Sequence, residues 1–203
     1  MLFIENIEFK GENYIIINRE ADNIMIDVID EHKPRKLWKS YLGKVYADYY
    51  MEDRKLHLKD ISLNAKMINH NEKLLTVEPE YDEVTKMDWF REVNAPLSYT
   101  GGIIIAKDIV DIKNVDVIDK EKPYSYNKVL ELIFENGVLV TCVDHSKTMV
   151  KIRKNIETGL RSIDNSKDMR VMSRFIYQSY LHNYQKHIRN RDMKRKLYKL
   201  KKM

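Results

Sequence analysis

The sequence predicts an α+β chain. A mostly antiparallel β domain, a sandwich or a partly open barrel, spans residues 1–145, and two C-terminal helices, the last long and basic, span 146–203. Three observations predict it. Short runs rich in β-branched and aromatic residues, separated by turn residues, fill the front. The spacing of apolar residues changes from two to nearly four after His145. The charge changes sign at the same point: residues 146–203 carry 17 Lys+Arg against 4 Asp+Glu, and residues 1–145 carry 19 against 27.

The front reads as strands in order. Leu2–Phe9 and Asn13–Asn18 flank a turn at Gly11, and Asn23–Ile29 is a further strand. Leu37–Tyr50 is rich in aromatics, and Leu56–Leu63 alternates with period two after the polar turn Glu52–Lys55, so the two form a hairpin with one buried face. Lys73–Val77 reads as a strand, Glu78–Asp88 as an acidic loop, and Ile103–Ala106 as a buried strand. The strongest local signal is Val129–Val143 around Asn136-Gly137, a pair that takes the positive φ angles a type I′ hairpin turn demands.

Behind His145, Met149, Ile152, Ile156 and Leu160 recur at helical spacing, with Ser146 or Asp144 as cap and Gly159 near the end. A second stripe (Met172, Ile176, Tyr180, Tyr184, Ile188) predicts a longer helix beginning near Lys167.

Two blocks carry a resemblance. One runs from Leu37 to Tyr46 (LWKSYLGKVY) and on through Arg54–Ile61 (RKLHLKDI). The other is Ser98–Ile105 (SYTGGIII) with Val129–Val140 (VLELIFENGVLV). Together they resemble a group of small bacterial β-rich proteins, with a departure at Ser40, where that group has glycine. The resemblance covers residues 35–141 and leaves out the basic end. It implies a bacterial or phage origin and a β-rich front, and brings no activity or site residue with it.

No reaction motif is present. Asp144-His145-Ser146 holds triad residue types, but neighbours in sequence do not converge as a triad must, so the stretch reads as a strand-to-helix junction. Cys142 and His145 have no second cysteine and no ligand-spaced histidine pair, which argues against a structural zinc site and for Cys142 as a buried strand residue. Gly101-Gly102 precedes a strand, not a helix, and reads as a turn or bulge, not a phosphate cradle. Glu78, Glu80, Asp82, Glu83 and Asp88 match no calcium loop and form a solvated acidic stretch, a natural counterpart for the basic end. No cofactor or metal is expected. The single cysteine, the lack of a basic, apolar leader and the absence of any apolar run near the about 20 residues of a membrane span predict a soluble cytoplasmic protein.

Three functions remain open, the third being an enzyme of unrecognised type, which an exposed pocket with convergent polar groups would favour. In the first, the chain is a non-catalytic binding protein whose basic C-terminal helix contacts a polyanion, RNA or DNA, through Lys186, Arg189, Arg191, Lys194, Arg195, Lys196 and Lys199. In the second, it is a protein-interaction factor of the immunity or anti-defence type. Its β domain then binds a protein partner through Trp38, Tyr41 and Trp89.

Overall fold

A computed structural model describes residues 5–19, 46–64, 73–111 and 122–160. Ten strands run through them: β1 (Asn6–Phe9), β2 (Glu12–Arg19), β3 (Tyr46–Glu52), β4 (Lys55–Asn64), β5 (Glu80–Asp82), β6 (Met87–Phe90), β7 (Ala95–Pro96), β8 (Gly101–Ile109), β9 (Tyr126–Glu135) and β10 (Val138–Asp144). A single helical turn (Pro123–Ser125) leads into β9, and one α-helix, α1 (Ser146–Glu157), follows β10.

Tight turns set the register. Lys10-Gly11, Asp53-Arg54 and Asn136-Gly137 each place two consecutive residues at positive φ, joining β1 to β2, β3 to β4 and β9 to β10. This matches the right-handed twist of the paired strands. β1 then pairs in parallel with β3, so the sheet is not wholly antiparallel.

The expected sandwich or partly open barrel is corrected by the strand order. β10-β9-β8-β2-β1-β3-β4 forms a ring, and β10 returns to β4, closing a barrel of seven strands. The closure is short and made largely of backbone. Val138 pairs with Lys55. Leu56 N–H donates to Gly137 O (2.8 Å) and Leu139 N–H to Arg54 O (2.7 Å). The Arg54 guanidinium adds two bonds to Leu139 O (3.2 and 2.7 Å). The chain after β7 seals the seam, with Leu97 N–H on Leu56 O (3.0 Å) and Gly137 N–H on Tyr99 O (2.8 Å). Closure leaves the seven strands without an open edge along the seam, which accounts for the ring over an open sheet.

Three strands lie off the ring: β6 and β7 pair with β4, and β5 with β6. The acidic loop expected over Glu78–Asp88 is therefore mostly a hairpin. Its turn is organised by Asp82, whose carboxylate accepts from Val84 N–H (2.8 Å) and the Thr85 hydroxyl (2.9 Å). The strand expected over Lys73–Val77 is only a bridge between Leu74 and Val77.

The two expected C-terminal helices are corrected to one among the described residues, α1. The second, with its stripe from Met172 to Ile188, lies outside the described residues, as does the strand expected over Asn23–Ile29.

Two cores hold these elements. Inside the barrel, Ile7, Tyr49, Leu56, Ile61, Ile103 and Phe134 pack together. Outside it, Ile104, Ala106 and Val129 face Met149 and Ile156 of α1. The unbroken apolar run Ile103–Ala106 follows, because both faces of β8 are covered.

One interior group departs from the apolar pattern. The Tyr49 side chain is 1% exposed, and its hydroxyl has no hydrogen-bond partner among the described residues. Burial holds its ionisation well above the usual tyrosine range. A buried unpaired hydroxyl costs about 1–3 kcal/mol. Tyr49→Phe is therefore expected to preserve or raise stability in urea unfolding. A loss above about 1 kcal/mol would mean that the hydroxyl is bonded in solution.

Candidate functional site

The root of the basic half is built at the junction of β9, β10 and α1. Asp144 ends β10 and organises the turn into the helix: its carboxylate accepts from Ser146 N–H (2.9 Å) and from Lys128 Nζ (2.7 Å). The hydrogen bond from Lys128, then those from Ser146, hold the Asp144 carboxyl down to about 2. Ser146 does not cap the helix through its side chain. His145 occupies the cap position, and the Ser146 hydroxyl accepts from Val129 N–H (3.1 Å).

His145 points away from any serine–aspartate arrangement. Its Nε2 lies 2.8 Å from Oε2 of Glu131, and both side chains are almost wholly enclosed. Asp144, His145 and Ser146 thus work separately to fix the helix start. Glu131 belongs to no recognisable motif. The signal was there: one acid in the apolar run Val129–Phe134, at an outward position, needs a partner once covered.

Arg153, two turns further on, is buried. Nη1 donates to Tyr124 O (3.0 Å) and Tyr126 O (2.6 Å), and Nη2 to Asn127 Oδ1 (3.1 Å). This cation is spent inside the fold and clamps α1 to the start of β9. The solvent side of α1 is different. Lys147, Lys151 and Lys154 are all exposed and, at helical spacing, share one face. None of the three is ion-paired among the described residues.

Several acids of the front are paired with cations of the front among the described residues. Glu78 pairs with Lys73 (2.8 Å), Glu80 with Arg91 (3.5 Å), Glu12 with Lys107 (2.7 Å), and Glu5 with Arg19. Beside Lys73, the Glu78 carboxyl is held below the usual carboxylate range, chiefly through their hydrogen bond. Such exposed pairs add little stability. They do lower the charge that the acidic stretch has left for the basic end.

The seven cations expected to bind a polyanion (Lys186, Arg189, Arg191, Lys194, Arg195, Lys196 and Lys199) lie outside the described residues, as do Trp38 and Tyr41. Trp89 is half-buried on β6, its ring 5.6 Å from that of Tyr46 and carrying the Arg91 guanidinium at 4.9 Å.

Two expectations are corrected. Cys142 is exposed, because β10 meets β4 only at Val138 and runs on beyond it. Its thiol is nevertheless held above its usual range, mainly by desolvation, which disfavours the thiolate. Gly101-Gly102 is neither turn nor bulge but the first pair of β8, in regular register with Phe134 and Ile133. A Cβ on Gly101 would stand 2.6 Å from the Tyr99 hydroxyl.

Among the described residues no group of three or more His, Cys, Asp or Glu could hold a metal ion, and no helix is long and apolar enough to cross a membrane. No family model, curated protein or solved structure matches the chain.

Proposed function

We propose that this chain is a non-catalytic binding protein that holds a polyanion, nucleic acid by preference, along its basic C-terminal segment. The barrel serves as the folded body. The observation that carries the reading is the open face of α1. Lys147, Lys151 and Lys154 stand in solvent without carboxylate partners among the described residues, at the start of a segment with 17 Lys+Arg and 4 Asp+Glu. Lysines placed so release condensed counterions when they meet phosphates, which drives association without a shaped pocket. RNA and DNA both fit this chemistry, and the tyrosines of the segment (Tyr177, Tyr180, Tyr184, Tyr198) add stacking surface for unpaired bases.

A second reading, a protein-interaction factor acting through the β domain, is favoured by one observation: Trp89 and Tyr46 form a part-exposed aromatic pair on the outer face.

Fluorescence anisotropy with labelled single-stranded RNA and duplex DNA tests the first reading. The full chain should bind both. A variant with Lys186, Arg189, Arg191, Lys194, Arg195, Lys196 and Lys199 changed to Gln should bind at least about a hundredfold more weakly, with an unchanged circular dichroism spectrum. Equal binding by the two would contradict it.

A further inference from the structure

Two aspartates face each other across strands on the outside of the barrel. Asp48 of β3 and Asp60 of β4 are antiparallel Cα partners, and like charges so placed repel. Their chain neighbours Ala47, Tyr49 and Ile61 fill the interior, so both carboxylates project outward. No cation among the described residues lies within ion-pair distance of either. Lys59, beside Asp60 in sequence, reaches Glu8 instead (4.0 Å).

Neutral groups hold the pair in place. Asn6 Nδ2 (2.9 Å) and the Tyr46 hydroxyl (2.7 Å) donate to Asp48 Oδ1, and Glu92 N–H donates to Asp60 Oδ1 (2.7 Å). Rings stand on two sides. Tyr46 and Trp89 flank one outward row (centroids 5.6 Å apart), and Tyr50 stacks on His57 in the other (4.8 Å).

Two buried polar atoms on these rows have no hydrogen-bond partner among the described residues. One is Ser62 Oγ, on a residue 0% exposed that lies between Tyr46 and Trp89 at the next outward position after Asp60. The other is His57 Nδ1.

The geometry points to a guanidinium-binding site at Asp48 and Asp60, taking an arginine side chain presented by a partner protein. Two fixed negative charges without a counterion call for a cation. With no third His, Cys, Asp or Glu to complete a metal group among the described residues, an organic cation fits better than a metal ion. A guanidinium is flat, donates in several directions at once, and stacks on aromatic faces. The molecule already seats one on the same wall, where Arg91 lies over Trp89. The site uses no residue of the basic segment and stands or falls separately from the polyanion reading.

Calorimetric titration of the full chain, without nucleic acid, tests it. The probes are N-acetyl-arginine amide, a glycine–serine peptide carrying one arginine, and the lysine counterpart of each. Saturable binding of the arginine peptide supports the site. Equal affinity for the amide assigns free arginine as sufficient, and much weaker amide binding assigns a partner's segment. Lysine probes should bind at least about tenfold more weakly.

Asp60→Asn keeps an oxygen for Glu92 N–H and removes one charge. It should cost about tenfold or more in affinity while holding or raising the melting temperature, since it relieves repulsion. Asp48→Asn repeats the test from the other strand. No saturable heat, equal affinity for lysine, or wild-type affinity in both variants would overturn the site.

Discussion

Gly137→Ala is expected to open the barrel. Gly137 sits at φ 75° in the β9–β10 turn, and a Cβ there would stand 1.8 Å from Leu97 O. That oxygen belongs to backbone, so no rotamer change relieves the clash. The same few residues carry the seam, through Leu56 N–H on Gly137 O and Gly137 N–H on Tyr99 O. Moving either strand away breaks closure. The expected loss is roughly 4 kcal/mol or more, a large part of a typical domain's stability. Gly11→Ala is the control. Gly11 has nearly the same φ, 73°, but nothing within 4 Å of the added carbon, so only backbone strain of about 1 kcal/mol applies. Urea unfolding of the two variants separates steric closure from turn strain. Similar small losses in both would mean that the seam does not depend on this contact.

Arg153→Ala is expected to release α1 from the barrel. It leaves Tyr124 O, Tyr126 O and Asn127 Oδ1 without this donor and empties a buried position one turn from the buried Met149 and Ile156. Buried groups that lose a charged donor cost about 3 kcal/mol in sum. Arg153→Lys should lose less but not recover, because an ammonium lacks the planar fork that serves two carbonyls and an amide together. Amide exchange over Met149–Ile156 should quicken in Arg153→Ala, while Ile103 and Leu132 inside the barrel keep their protection. A variant with unchanged exchange along α1 would show that the apolar contacts alone dock the helix.

Local signals were legible in the chain. Asn136-Gly137 specified its turn because few residue pairs accept two positive φ angles, and the period change after His145 marked α1. Long-range features were not. Closure rests on backbone bonds from Gly137 and Leu97 to Leu56, which no side-chain pattern encodes. The parallel pairing of β1 with β3 joins strands distant in sequence. The β5–β6 hairpin was hidden by its acidic composition, since Asp82 was read as a solvated charge when it is the turn's acceptor.

The stripe behind α1's start held as far as Ile156, but Leu160 lies past the helix end and is 71% exposed. Of the candidate site, Trp89 could be named from composition. The pairing of Asp48 with Asp60 could not, because the bulge in the β3–β4 pairing shifts the register between Asp48 and Tyr49. The seven distal cations were legible only as charge.

The salt dependence of nucleic-acid binding by the full chain tests the polyanion reading most directly. If the seven named cations contact phosphates, log K should fall against log salt with a slope of roughly −6 on duplex DNA, an affinity loss of about 10³-fold or more between 50 and 200 mM. The seven-glutamine variant should flatten that slope. Binding that is insensitive to salt, or no binding at 50 mM, would contradict the account.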